Sequence, residues 1–214
     1  MRRKLGILCM FLGAAFLLGS LGLLLRNRRE AEQAQQASAE LMPKLEQVIE
    51  ENAAIRESCP EQETVPVIPG TPLEMMDPED LVMTEVEIDG HSYIGYLSIP
   101  ALELELPVMA DWNYAKLQIA PCRMCGTTKE GNLVVMAHNY QRHFGTINQL
   151  QIGDELVFVD MDNAVTVYEV VATDVVAPTA VEEVTAGDFD LTLFTCTYGG
   201  RTRVVVYCDA VETD

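Results

Sequence analysis

The strongest constraint on this chain is an uncharged stretch of 21 residues near its N-terminus, Leu5 to Leu25. As a helix this stretch is about 31 Å long, which matches the hydrocarbon thickness of a lipid bilayer. A cleaved signal peptide is the alternative, but its apolar core is about 7–15 residues long and small residues follow it. Here the basic segment Arg26-Asn27-Arg28-Arg29 follows instead. The sequence therefore predicts an uncleaved membrane anchor with basic flanks over residues 1–29.

Charge is distributed unevenly along the chain. The first 29 residues contain six Lys and Arg and no acidic residue, whereas the remainder has eight Lys and Arg against 33 Asp and Glu, a net charge of −25. Eight scattered cations cannot neutralise a row of phosphates, so nucleic acid is excluded as a partner. Three basic residues lie on each side of the apolar stretch, and the positive-inside rule is therefore nearly balanced. The orientation of the anchor has to be inferred from function.

Two segments of different composition separate the anchor from the C-terminal part of the chain. Residues 30–57 are rich in Ala, Glu and Gln and carry Leu41, Leu45 and Ile49 at helical spacing, which predicts a helical stalk. Pro43 is expected to interrupt this helix or to begin a second segment. Five prolines and Gly70 mark residues 58–82 as a linker. Together the stalk and the linker are expected to hold a domain away from the lipid.

Residues 83–214 are predicted to form a mainly β domain. Short segments with strand-like patterning alternate with turn signals such as Asp89-Gly90 and Gly153-Asp154. With 49% apolar residues the chain can bury a real core. We expect a small closed eight-stranded β-barrel, with short helical turns at residues 116–118 and 179–187. The eight segments are TEVEIDG, SYIGYLSI, LELELPVM, NLVVMA, DELVFVDM, VTVYEVVATDVV, DLTLFTC and RVVVYCDAV.

Three side chains that can form a nucleophilic site occur at the ends of predicted strands. His138 follows the strand of VVMAHNY, Cys196 ends the strand of LTLFTC, and Arg203 begins the strand of RVVV. Because strand ends of a barrel share a rim, a thiolate, a proton-transferring imidazole and an oxyanion-stabilising guanidinium can meet there. The alternative is a surface histidine and a small buried cysteine, which the spacing alone favours.

The segment Thr192-Leu193-Phe194-Thr195-Cys196 resembles the TLxTC signature of the sortases, membrane-anchored cysteine transpeptidases of Gram-positive bacteria. The segments IGYLSIPALELELPV at 94–108, VVMAHNY and RVVV stand in the family's order, so the resemblance covers about residues 93–211. It implies a sortase-type barrel in which Cys196 attacks the Thr carbonyl of a C-terminal sorting motif in a secreted protein. It implies that His138 protonates the departing amine and later deprotonates the incoming one. Arg203 is expected to hold the peptide and the oxyanion, and Thr195 to assist in substrate binding.

The resemblance also implies partners and a location. The partners are sorting-motif-bearing secreted proteins, a cell-wall precursor or another amine acceptor, and the membrane itself; no cofactor and no metal are expected. The N-terminus is expected to be cytoplasmic and the catalytic domain extracellular. A cysteine peptidase on the same fold and a catalytically silent surface-anchored binding module remain alternative functions.

Two departures from family patterns bear on the sortase class. Asp77-Pro78-Glu79 lacks the aromatic residue of a pilin-sortase lid, and no second apolar segment precedes Asp214. Residues 176–190 leave little room for the long helix of class B enzymes. A class D-like or unclassified sortase is therefore expected.

Further features of this domain have less specific interpretations. Cys122 and Cys125 form a C-x-x-C that is expected to be structural, with a disulfide and a metal or redox role as alternatives. His143 is expected to line the substrate groove without a part in the chemistry. The acidic residues between 182 and 190 are expected to form a solvated loop in preference to a Ca²⁺ site.

Overall fold

A computed structural model describes residues 2–58 and 81–211, with side chains described for residues 10–56 and 81–211. Most of the predicted linker, residues 59–80, lies outside the described part, and so does Asp77-Pro78-Glu79. The helices are α1 (Arg2–Ser58), α2 (Tyr114–Leu117) and α3 (Val181–Val184), with 3₁₀ segments at Pro100–Leu102 and Phe144–Gln149. The strands are β1 (Val86–Ile88), β2 (His91–Ile99), β3 (Leu104–Met109), β4 (Cys122–Cys125), β5 (Leu133–Ala137), β6 (Glu155–Asp160), β7 (Val165–Val176), β8 (Leu191–Cys196) and β9 (Arg203–Ala210).

Eight strands form a closed barrel, which confirms the predicted fold class. Their order is β2-β3-β4-β5-β8-β9-β7-β6, and β6 pairs back onto β2 to complete the ring. The closure requires a glycine, because a Cβ on Gly95 would stand 2.1 Å from the carbonyl oxygen of Val159. The two predicted helical turns are present as α2 and α3.

The membership of the ring differs from the eight segments chosen from the sequence. The first of them, TEVEIDG, contains β1, which among the described strands pairs with β2 alone and lies outside the ring. The missing strand is β4, the four residues Cys122–Cys125 of the C-x-x-C. Its short length and its lack of alternation hide it in the sequence, and its pairing with β5 identifies it.

Alternation along the strands sorts side chains between the barrel interior and its outer surface. On β8, Leu191 and Leu193 belong to the interior cluster, whereas Phe194 packs in a second cluster on the outside. Burial of each leucine contributes about 2 kcal/mol, which fixes the register of β8, because a shift by one residue would turn these side chains outward. Cys196 consequently shares the outer face with Phe194.

Helix α1 is continuous from Arg2 to Ser58, so the prediction that Pro43 interrupts or restarts it is wrong. A proline inside a helix costs about 3 kcal/mol. Leu41, Leu45 and Ile49 on either side of it are buried against the barrel, at about 1.5–3 kcal/mol each, and this burial offsets the cost. The segment predicted as a free-standing stalk therefore lies along the barrel.

The first half of α1 is long and apolar enough to cross a membrane by length and composition. Its large apolar side chains are exposed all around the helix: Met10, Phe11, Leu12, Phe16, Leu17, Leu18, Leu21, Leu23, Leu24 and Leu25. This helix is consistent with a single-pass membrane anchor.

Candidate active site

Three neighbouring strands carry the residues singled out in the sequence to one end of the barrel. β5 and β8 run parallel, with Ala137 opposite Thr195. His138 and Cys196 are the residues that follow these two in the sequence, so they come next to each other at the strand ends. β8 and β9 run antiparallel, and Cys196 is directly opposite Arg203. The end of the barrel formed by His138, Cys196 and Arg203 is called the catalytic rim below.

Arg203 is held by the turn that precedes it. Its Nη1 donates hydrogen bonds to the carbonyl oxygens of Gly200, at 3.2 Å, and Thr202, at 3.1 Å. The base of the turn is closed by Thr197, whose hydroxyl lies 2.9 Å from that of Thr202. Arg201 is exposed and makes no hydrogen bond or ion pair with the described residues. The Arg203 guanidinium is therefore the preorganised one of the two.

A cleft of about 280 Å³ lies beside Phe194 and Arg203 on the outer face of the barrel. Nearly all of its walls are aromatic and aliphatic side chains, and Arg203 is the one charged residue among the described residues that line it. Such a cleft suits an extended peptide with apolar side chains whose backbone carbonyl reaches the guanidinium. The lining residues are Trp112, Tyr114, Met124, Met136, Ala177, Pro178, Ala180, Val181, Val184, Thr185, Phe194 and Arg203.

His138 is half-buried beside an aromatic residue. Its ring centroid lies 5.0 Å from that of Tyr140. Burial lowers the pKa of His138 from its usual value, and the nearby carboxylate of Glu30 acts in the opposite direction. Burial is the larger of the two effects, so it favours the neutral imidazole, the form that can accept a proton.

His143 does not line the cleft, which corrects the expectation from sequence. It is fully buried, with its ring 5.6 Å from that of Tyr140. Neither ring nitrogen makes a hydrogen bond within ordinary geometric limits among the described residues. Burial, with a smaller contribution from the neighbouring His138, lowers the pKa of His143 to about 4. His143 is thus a neutral core residue beneath the catalytic rim.

Thr195 occupies a different place from the one expected. Its side chain is 4% exposed and its hydroxyl donates a hydrogen bond of 2.8 Å to the carbonyl oxygen of Ala137. The single proton of the hydroxyl is used in this bond, and the side chain lies on the face opposite Cys196. In this structure Thr195 ties two strand ends together and makes no contact with the cleft.

Sequence reasoning missed Glu30, whose charge acts on both His138 and Tyr140. It belongs to α1, 108 residues before the histidine, and pairs with Arg26 at 3.1 Å one helical turn earlier. No local pattern marks it, because its position depends on how α1 packs against the barrel. Trp112 and Tyr114 of the cleft were missed for a similar reason, since Trp112 lies in the loop before α2 and Tyr114 is the first residue of that short helix.

The other described cysteines differ from Cys196 in their surroundings. All four described cysteines are free thiols. Cys122 and Cys208 are fully buried, and burial raises the pKa of each thiol to about 12. Cys125 is exposed and Cys196 is half-buried at the catalytic rim. Cys122 and Cys125 both belong to β4 and have free thiols, so they do not form a disulfide in this structure.

The acidic loop shows no metal-binding arrangement. Asp190 accepts a hydrogen bond of 2.7 Å from the backbone nitrogen of Ala210, which fastens the start of β8 to the end of β9. Within residues 10–56 and 81–211, no three His, Cys, Asp or Glu side chains are grouped closely enough to hold a metal ion.

Comparison with known proteins places this arrangement in context. The family model described as the Sortase domain matches residues 97–211. Sortase C1 from Streptococcus suis is 26% identical, with a TM-score of 0.51, and the match covers 58% of this chain and 75% of that one. Two further structures share the fold. Sortase C from Streptococcus pneumoniae is 22% identical, with a TM-score of 0.53, and the match covers 83% of this chain and 97% of that one. Sortase A from Corynebacterium diphtheriae is 19% identical, with a TM-score of 0.53, and the match covers 90% of this chain and 97% of that one. The comparison with curated proteins found no match.

Proposed function

The chain belongs to the sortase family, and from that membership and the geometry of its catalytic rim we propose that it is a transpeptidase with Cys196 as nucleophile. The observation that carries the proposal is the register of three strands. Ala137 opposite Thr195 and Cys196 opposite Arg203 bring an imidazole, a thiol and a guanidinium to adjacent positions. The class D-like or unclassified assignment stays a prediction; the four residues of α3 agree with the absence of a long class B helix.

The proposed reaction proceeds through a thioacyl-enzyme. The Cys196 thiol gives its proton to His138, and the resulting thiolate attacks the threonine carbonyl of the sorting motif. Arg203 stabilises the oxyanion that forms. His138 gives its proton to the departing amine as the peptide bond breaks. An amine acceptor then attacks the thioester, His138 takes up the proton of that amine, and Cys196 leaves as the thiolate. The new amide joins the secreted protein to the acceptor.

The cleft supports a peptide substrate of this kind. Its apolar walls, formed by Trp112, Tyr114, Val181 and Val184 among others, suit the side chains that precede the scissile threonine. We propose as substrates secreted proteins with a C-terminal sorting motif, and as acceptor a cell-wall precursor or another primary amine. Thr195 contributes to this site by holding the ends of β5 and β8 in register.

For the proposed substrates to reach the cleft, the catalytic domain has to lie outside the cell. We propose that residues 1–4 are cytoplasmic and that everything after Arg29 is extracellular. Protease added to wall-stripped intact cells should digest the domain; a protected domain would overturn this orientation.

The experiment that tests the function separates transfer from hydrolysis. The full chain in detergent micelles is incubated with a library of sorting peptides, with and without triglycine as the amine acceptor, and the products are identified by mass spectrometry. We expect amide-linked products that depend on triglycine. Cleavage without any such product would identify a cysteine peptidase, and absence of both products would overturn enzymatic function.

A further inference from the structure

Helix α1 fixes the direction in which the barrel points relative to the membrane. Its contacts with the barrel run in order along the helix: Ser38 Oγ donates to the carbonyl of Ile119 at 3.4 Å, and the Asn52 side chain donates to the carbonyl of Met161 at 3.0 Å. Arg56 ends the series with an ion pair of 2.7 Å to Asp162 in the turn between β6 and β7. The end of the barrel that holds Asp162 is therefore the end distant from the lipid.

The catalytic rim lies at the other end, beside the beginning of the docked segment. The carboxylate of Glu30 acts on the pKa values of His138 and Tyr140, and Ala34, one turn later, is 1% exposed against the barrel. The helix rises about 1.5 Å per residue, so Glu30 and Arg56 are separated by about 39 Å along its axis. The rim and the β6–β7 turn thus occupy opposite ends.

The short distance along α1 from the apolar stretch to Glu30 brings the rim close to the bilayer. Glu30 is five residues beyond Leu25, the last residue of the uncharged stretch, which corresponds to about 7.5 Å along a straight helix. The headgroup layer on each side of a bilayer is about 5–7 Å thick. Because α1 is uninterrupted between these residues, Glu30 stands at the outer edge of the headgroups, and the catalytic rim stands beside it.

The distribution of basic side chains supports this placement independently. Eight Lys and Arg follow residue 29, and four of them, Lys44, Arg56, Lys116 and Arg123, form ion pairs with carboxylates. Of the four without a carboxylate partner among the described residues, three belong to the catalytic rim. These are Arg142, four residues after His138, and Arg201 and Arg203 after Cys196. An otherwise acidic domain thus presents three of these four cations at the end beside Glu30, where anionic lipid headgroups would attract them.

An exposed aromatic residue lies at the same end. Tyr198, in the turn between β8 and β9, has 88% of its surface exposed, the largest fraction among the exposed large apolar and aromatic side chains of the described residues. A tyrosine close to arginines is typical of the membrane–water interface, where the ring and the hydroxyl each meet a suitable environment.

We propose that the catalytic rim faces the bilayer surface at the level of the headgroups, with Arg142, Tyr198 and Arg201 in contact with anionic lipid. Residues 30–57 were expected to hold the domain away from the membrane. In this arrangement they instead hold the active site of the domain close to the membrane surface. The consequence for activity, which rests on the proposed function, is that the enzyme acts on sorting motifs held close to the bilayer. A substrate still anchored by an apolar segment just beyond its sorting motif meets this condition.

The orientation is tested first by a measurement that needs no activity. The chain has one tryptophan, so Trp112→Phe gives a dark background into which Tyr198→Trp or Val165→Trp is introduced. Val165 is the matched control, because it is 60% exposed and begins β7 at the distant end. The full chain is reconstituted in phosphatidylglycerol vesicles that contain lipid spin-labelled on the headgroup. We expect the spin label to quench the fluorescence of the Tyr198→Trp variant at least several-fold more than that of the Val165→Trp variant. Equal quenching of the two variants, or stronger quenching of the Val165→Trp variant, would overturn the proposal.

The functional consequence is tested by raising the rim. Eighteen helix-forming residues, five full turns and about 27 Å, are inserted between Arg29 and Glu30. The insertion should leave cleavage of a soluble sorting peptide unchanged and reduce cleavage of the same peptide on a short membrane anchor at least tenfold. A spacer of about 27 Å in the anchored peptide should restore cleavage. Equal cleavage of the short-anchored peptide by the two enzymes would contradict the inference. Failure of the unmodified enzyme to cleave the soluble peptide would instead count against the proposed function, and the result of the quenching experiment would be unaffected.

Discussion

The hydroxyl of Thr195 donates a hydrogen bond of 2.8 Å to the carbonyl oxygen of Ala137 and thereby joins the ends of two parallel strands one residue before the catalytic rim. The two residues are 58 positions apart in the chain, and His138 and Cys196 are their immediate successors. The bond therefore sets the spacing of the two groups that have to exchange a proton.

Thr195→Val should lower kcat/KM about tenfold or more with little change in overall fold. Valine has the shape of threonine but leaves the buried Ala137 carbonyl without this donor, and a small misplacement of catalytic groups is costly. Thr195→Ser, which keeps the hydroxyl, should retain most of the activity. Steady-state kinetics with circular dichroism spectra of both variants provides the check; a fully active valine variant would remove the positioning role.

Arg203→Ala should lower the rate by on the order of 10²–10³, because a preorganised donor to the oxyanion is lost. Lysine should replace Arg203 poorly, since it has no planar fork with which to hold the turn and the peptide together. Arg201→Ala is the control and should change turnover of a soluble peptide only modestly. If Arg201→Ala is the inactive variant, the oxyanion donor lies in the turn and the assignment of Arg203 is wrong.

Among the described cysteines, only Cys196 should be indispensable. Cys196→Ala should abolish turnover without loss of stability, because the thiol is at the rim and outside the packed core. Cys122→Ala and Cys208→Ala should each cost about 1–2 kcal/mol of unfolding free energy and retain activity, since both side chains are fully buried. Cys125→Ala should be nearly silent in both respects. Urea unfolding and turnover, measured in parallel, distinguish these outcomes.

His143 should make the folded protein sensitive to mild acid. Its pKa is about 4 in the folded state and about 6.5 in an unfolded chain, so between these values the unfolded state binds the additional proton. The free energy of unfolding should therefore fall by about 3 kcal/mol as the pH drops from 6.5 to 4. His143→Phe keeps the aromatic packing against Tyr140 and should remove most of this loss. An unchanged pH dependence in the phenylalanine variant would assign the sensitivity to other groups, of which His138 is the nearest.

The sequence was most informative where the pattern is local. The alternation of Leu191 to Cys196 predicted which face of β8 carries the thiol, and the positions of His138 and Arg203 next to apolar strands predicted that all three share an end of the barrel. What escaped prediction depends on packing between distant parts of the chain. The strand at Cys122 is recognised only through its partners, and the burial of His143 depends on the loop and helix packed around it. The approach of Glu30 to His138 follows from the docking of α1 along the whole barrel.

If Cys196 is the nucleophile, it forms a thioester with the sorting peptide, and the most direct test is the mass of the protein itself. The full chain is mixed with peptides from the sorting library, quenched in acid within seconds and analysed by intact-mass and peptide-level mass spectrometry. We predict an added mass equal to the acyl fragment that ends at the motif threonine, located on Cys196, absent from Cys196→Ala and discharged when triglycine is added before the quench. An adduct on Cys125 in place of Cys196, or turnover that persists in Cys196→Ala, would contradict this mechanism.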